Sequence, residues 1–369
     1  MTRIRRSPLR LHPAALAVST LVSISVFLSA CSTPPPVRQP GMPGAAPETP
    51  QPVQVTPQVA AAAEALAKMA ALQDRLYRVA SPLLIDNAEL CRKQARNLLG
   101  FTAKNRHSYP GVYNEAAQVA FRMDERLQVT SVLAGSGAAK AGLRLGDDLV
   151  AAGAKPLPTG PGAATKLGAV FGPLLAASPT LPLTIDRDGR PRDLSIPVTR
   201  ACAFAIELGN ADHVNAYADG SRIMVTRGMI GATRSDTELA YVLARTMAHN
   251  ILEHPKAQRN SATLDSVIES LLLRANPDLS MMGGSAGIKA MPSNMDAAAD
   301  RLAVFLLARA DYDIDGVAGF WKRFTVATPV TVANGHTANH PAIAARLTAI
   351  ELAVADVEAK QAAKKPLVP

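Results

Sequence analysis

The residues best suited to chemistry lie beyond residue 240. His249 sits in a helix-patterned stretch, Glu238–His254, with Arg245 four positions before it, so the two side chains share one helical face. A second helical stretch carries Asp296 and Asp300, again four residues apart. Imidazole and carboxylate groups on facing helices can hold a divalent cation; a guanidinium in the same place pairs with the carboxylates instead. His336 and His340 repeat the i, i+4 spacing, but Asn334-Gly335 begins a turn and Pro341 ends the segment, which argues against a helix there. Three cysteines complete the reactive set: Cys31, Cys91 and Cys202.

Several elements must position these groups. Ser235-x-x-Glu238 reads as a capping box that opens the His249 helix. Before it, Val214–Gly228 reads as two short strands around a Gly turn. The Asp296 helix is expected to continue to Arg309 and Asp313, followed by Phe320-Trp321-Lys322, then His340-Pro341 and Arg346. Met281-Met282-Gly283-Gly284 reads as a loop between the two long helices. His213 and His254 read as surface or packing residues, and His107 as a loop residue.

Upstream, residues 58–80 place Leu66, Met69, Leu72 and Leu76 at helical spacing, within a segment 58–110 read as helical. From about Gly111 the pattern turns to short strands. Arg126–Leu133 alternates and runs into Gly135-Ser-Gly-Ala-Ala-Lys-Ala-Gly-Leu143, then Arg144-Leu-Gly-Asp147-Asp-Leu-Val150. This text resembles the signature of bacterial PDZ domains, with Gly137 where proline is usual. The expectation over 111–201 is a strand ending at Leu133, a one-turn helix with a left-handed cap at Gly142, and a strand Leu149–Ala152. A helix near Ala163–Ala177 and a hairpin turning at Asp188-Gly189 follow. Such domains bind extended peptides by strand addition.

Residues 205–352 resemble peptidase family M48, the zinc endopeptidases that include the CAAX prenyl protease. Asn215–Gly228 matches the family's strand pair almost whole, and Asp236–His249 matches its metal-binding helix. Asp296–Ala303 and Ala310–Asp313 approximate the second helix and its tail, and His340, Pro341 and Arg346 match its His-Pro loop. The resemblance implies an α+β chain, a β-rich domain followed by a mostly helical metallopeptidase-like domain with a small sheet. It also implies a zinc ion held by two histidines one helical turn apart and a downstream glutamate, with a general base after the first histidine.

The departures decide what to expect. The first-ligand position is Arg245, which keeps its proton and would repel a cation. The general-base position is Thr246, and the third-ligand position is Asp296. His249 alone is unchanged. The expectation is an inactive family member, a pseudoprotease that binds peptides or envelope proteins and needs no cofactor. Zinc remains conceivable if His249, Asp296 and His340 form a degenerate site. An active endopeptidase of envelope quality control with an atypical metal site, and a structural adaptor, are the alternatives. Arg245 is expected either to pair with Asp296 and Asp300 or to extend to solvent.

Charge and cysteine usage supply the setting. The formal charge of +9 includes Arg3, Arg5, Arg6 and Arg10, which precede an uncharged apolar run to Ala30. That is the pattern of an export signal over residues 1–30. The remaining basic residues alternate with acids and do not cluster with aromatics, so no nucleic-acid partner is expected. Leu28-Ser-Ala-Cys31 resembles a bacterial lipobox, which implies that Cys31 is a lipidation site and the membrane a partner; the alternative is an ordinary signal peptide, or an uncleaved anchor, with an incidental cysteine. By resemblance to enterobacterial lipoprotein sorting, Ser32 after the cysteine implies the outer membrane, with the folded part at the periplasmic face. Residues 31–57 are a Pro-rich tether, carrying nine of the chain's 28 prolines. Cys91 and Cys202 are then expected to form a disulfide in an oxidising compartment, the alternative being two buried thiols. Residues 202–355 are the metallopeptidase-like domain, and 356–369 a basic tail.

Overall fold

The computed structural model describes residues 54–257, 292–327 and 343–369. The export signal, Cys31, nearly all of the tether, Met281–Gly284, His336, His340 and Pro341 lie outside the described residues.

A 30-residue helix, α1 (Pro57–Asp86), opens the described chain. Thr56 caps it by accepting from the Val59 amide at 3.2 Å, and proline at the first helical position lacks the donor that would be orphaned there. The helix serves two cores. Ala62 and Ala63 pack on Ala116, while Leu76, Val79, Ala80, Leu83 and Leu84 enter the main core of the molecule. The segment 58–110 is therefore not helical throughout. After α1 come turns, then β1 (Ala95–Leu98) and β2 (Phe101–Lys104). Both strands are short and pair with partners distant in sequence, so no local periodicity announces them.

The sheet domain starts at β2, ten residues before the boundary expected at Gly111. It continues through α2 (Val112–Phe121), β3 (Gln128–Val132), α3 (Gly137–Lys140), β4 (Asp148–Ala152), β5 (Lys155–Pro156), α4 (Ala163–Ala177), β6 (Thr180–Arg187) and β7 (Arg190–Pro197). The antiparallel order is β2-β3-β4-β6-β7, with β5 on β4. Leu181, Leu183 and Ile185 alternate inward along β6 and meet Leu127, Val129, Leu149 and Ile196. Asp188 and Gly189, both at positive φ, make the tight β6–β7 hairpin. Gly137 has a reason to be glycine: a Cβ there would come 1.8 Å from the Pro197 carbonyl oxygen. Its amide also donates to Thr199 Oγ1 at 2.7 Å, which proline could not do. Buried Asp147 receives Arg187 Nε and Nη2, each at 2.6 Å, and the Arg144 amide at 2.8 Å, tying the loop before β4 to β6.

The sheet domain is an insertion with a closed neck. β1 leaves the main core and β8 (Thr199–Cys202) returns to it, and the two pair antiparallel with Ala95 opposite Cys202. A disulfide joins Cys91 to Cys202, with their Cα atoms 5.8 Å apart. Beyond the neck, β9 (Ala205–Gly209), β10 (Ala216–Ala218) and β11 (Arg222–Thr226) form a small sheet ordered β10-β11-β9, with β9 parallel to β11. Gln73 of α1 caps the β9 edge as a strand would, donating to Ile206 O at 3.1 Å and accepting from the Leu208 amide at 3.0 Å.

The remaining described elements are helices: α5 (Arg227–Ala232), α6 (Asp236–Ile251), α7 (His254–Ala257), α8 (Ser293–Arg309), α9 (Val317–Ala327) and α10 (Ile343–Ala362). α6 is buried continuously from Leu239 to Asn250, as the central helix of a core must be. Ser235 Oγ accepts from the Glu238 amide at 3.1 Å, but Glu238 reaches back to the Arg234 amide at 2.8 Å, one residue before the expected partner. The expected helix 238–254 stops at Ile251 because Glu253 adopts positive φ, and α8 stops at Arg309, short of Asp313, with Asp311 at positive φ. Nor is 356–369 a separate tail. α10 runs through the boundary at 355, Val357 is fully buried, and Lys360 Nζ donates to Val368 O at 2.8 Å.

Candidate functional site

One buried charge network joins the residues singled out in α6 and α8. Arg245 Nε donates to Asp300 Oδ1 at 3.0 Å, and its Nη2 donates to Asp296 Oδ1. The i, i+4 spacing in both helices brings one guanidinium opposite two carboxylates. Asp300 also accepts from Arg346 of α10, from Nε at 2.6 Å and from Nη2 at 3.1 Å. None of the four side chains is more than 3% exposed, so two positive and two negative charges face one another in a buried setting. Trp321 of α9 lies against both guanidinium groups, its ring centroid 5.7 Å from Arg245 Cζ and 4.8 Å from Arg346 Cζ. Burial, and then the neighbouring charge of Arg346, hold the Arg245 pKa below its ordinary value. Burial pulls Arg346 the same way, but the Asp300 and Asp296 carboxylates outweigh it and raise its pKa.

His249 is fully buried and lies 3.5 Å from Asp296 Oδ1 through its Nε2. Its Nδ1 faces Nδ1 of His254 at 3.0 Å, a contact that requires one ring to donate and the other to accept. Burial, and then the charge of Arg245, push the His254 pKa down to about 4. His254 is thus an inner residue of this site; its distance of five residues from His249, across a helix break, gave no sign of the contact. Thr246, also buried, donates to Val242 O of its own helix at 2.7 Å. Asn250 holds the β10–β11 turn, accepting from the Gly220 amide at 2.6 Å and donating to Arg222 O at 2.9 Å. His213 and His107 lie elsewhere, 2.9 Å from Tyr217 Oη and Glu125 Oε1 respectively.

A zinc ion would need three donors converging on one point. Arg245, at the first position, offers only donors of hydrogen bonds and carries a fixed positive charge. Asp296 presents an oxygen to that guanidinium, and the Thr246 hydroxyl is turned to its helix backbone. Among the described residues, no group of three or more His, Cys, Asp or Glu side chains is placed to hold a metal. His340 lies outside the described residues. The donor set present at Arg245, His249 and Asp296 does not fit zinc.

Arg245, His249, Asp296 and Asp300, marked out by residue type and spacing, converge on one site. Arg346, part of the His-Pro loop pattern, and Trp321 join them only in the folded chain. Nothing in the residues around Arg346 signals its contact with Asp300, 46 positions away in sequence.

The fold belongs to the α+β class, with small sheets packed among helices. Residues 194–354 match the model of Peptidase family M48, so a domain of that family is present in the chain. No curated protein matches the chain. The family is a zinc-dependent one in general, which makes the arginine at the centre of this domain its main departure. α1 lies outside the matched residues yet supplies part of the same core.

Proposed function

We propose that this protein is a lipid-anchored component of the cell envelope, a pseudoprotease that binds peptides or envelope proteins without cleaving them. The observation that carries this reading is the guanidinium of Arg245 bonded to Asp296 and Asp300. A general base is also missing, because the Thr246 hydroxyl cannot accept a proton from water at neutral pH. The apolar run ending at Cys31 and the buried Cys91–Cys202 disulfide support an oxidising, extracytoplasmic setting.

The inserted sheet domain, read as PDZ-like, supplies the peptide-binding surface in this proposal. Among the described residues β2 pairs on one side only, with β3, and contains no proline. The opposite edge strand, β7, carries Pro191, Pro197, Arg190 and Arg192, which discourage strand addition. Beside β2, Phe171 of α4 meets Phe101 edge-on at 6.4 Å, giving the open edge an apolar wall.

The decisive experiment measures metal content and chelator-sensitive cleavage of an unfolded substrate by the full-length protein. The expected result is no stoichiometric zinc and no cleavage. Stoichiometric zinc with chelator-blocked proteolysis, abolished by His249→Ala, would overturn the proposal. Extended peptides titrated into labelled protein are expected to shift the amides of Phe101–Lys104; binding that leaves them unmoved assigns the role to another surface. Fatty-acid labelling lost in Cys31→Ala tests the anchor.

A further inference from the structure

A metal ion in a helical peptidase centre does two things: it activates water, and it cross-links the helices that ligate it. The second task survives here in another form. Arg245 projects from α6 to both Asp296 and Asp300 of α8. Arg346 projects from α10 to the same Asp300. Trp321 of α9 stacks against both arginines. Four helices that share few local sequence contacts thus converge on one point. Among the described residues, Arg346 is the largest fully buried side chain.

We infer that the Arg245 guanidinium is a resident cation that has taken over the cross-linking role of a metal, making this domain fold independently of divalent ions. The inference rests on the pseudoprotease reading but concerns stability, not catalysis. Charge balance supports it: removing one member of a buried, hydrogen-bonded ion network strands its partners. Geometry supports it as well. An ammonium is a point charge, whereas the planar guanidinium fork spans two carboxylates one helical turn apart. Space-filling alone would require neither Asp296 nor Asp300 to face it.

The test uses thermal unfolding of the full-length protein. Wild type is expected to keep the same melting midpoint in chelator and in added Zn²⁺. Arg245→Met, close in length but uncharged, is expected to lower that midpoint by about 5–10 °C. Arg245→Lys, which retains one charge but loses the fork, should fall between. Arg245→His offers an independent arm should the methionine variant fail to fold. It places imidazoles at 245 and 249 beside Asp296, so its midpoint should lie below wild type in chelator and rise on adding Zn²⁺. A wild-type midpoint that falls in chelator would overturn the inference. So would an Arg245→Met protein melting with wild type, or an Arg245→His protein as stable as wild type in chelator. If wild type is peptidase-inert while Arg245→Met melts normally, the clasp alone fails; if wild type cleaves with zinc, the functional reading fails with it.

Discussion

Removing the Cys91–Cys202 disulfide isolates the contribution of the neck. The bridge spans a sequence separation of 111 residues and closes off the entire sheet domain. In the chain-entropy account, a loop of that length removes about 16 cal/mol/K from the unfolded ensemble, or about 4.8 kcal/mol at 25 °C. In Cys91→Ala/Cys202→Ala the neck retains the four-residue β1–β8 pairing and the packing of α1 on α2, so the native state should persist. Both sulfurs are fully buried, so the alanines also forfeit packing, which adds about 1 kcal/mol. For a folded unit above 250 residues, a few kcal/mol shifts the melting midpoint by roughly 2 °C each or slightly less. The double variant should therefore melt about 8–10 °C below the oxidised wild type. Thermal unfolding monitored by circular dichroism checks this, with the reduced wild type as a second arm. Thiol titration of the unfolded, unreduced protein should find Cys91 and Cys202 protected. A double variant within about 2 °C of the oxidised protein would refute the loop-closure argument.

Two further outcomes follow from other contacts. Asn250→Ala strips the Gly220 amide and the Arg222 carbonyl of their side-chain partners, and should cost about 2 kcal/mol by urea unfolding while speeding exchange at Gly220; unchanged exchange would contradict the clamp. Glu125 has its pKa lowered by the hydrogen bond from His107, opposed by burial and assisted by Arg106. A depressed carboxylate stabilises the fold above its unfolded pKa, and that contribution is lost as pH falls through the depressed folded value. An NMR titration should show a Glu125 midpoint below that of a free glutamate, and Glu125→Gln should remove this acid sensitivity around Asn105 and Gly160, whose contacts flank it.

Short-range rules accounted for much of this molecule. The Ser235 cap, the helix it opens, the turn at Asp188-Gly189 and the cap at Gly142 follow from residues a few positions apart. Donor chemistry was legible only against the M48 motif that the segment resembles: Arg245 and Thr246 stand where that motif places a ligand and a base, and neither side chain can serve. The limits of α6 and α8 were read too long because the breaks at Glu253 and Asp311 place non-glycine residues at positive φ, which residue type does not signal.

What residue spacing determined, then, was that Arg245 and His249 share one face and Asp296 and Asp300 another. Only the tertiary structure decided that the two faces meet, that Arg346 and Trp321 join them, and that His254 closes on His249. It likewise decided that α1 belongs to the main core and that the sheet domain is an insertion stapled at its neck. The physical reason is common to all of these. Helical periodicity and capping are encoded within a few residues, whereas pairing of β1 with β8, or of Asp300 with Arg346, depends on which surfaces the whole chain buries together.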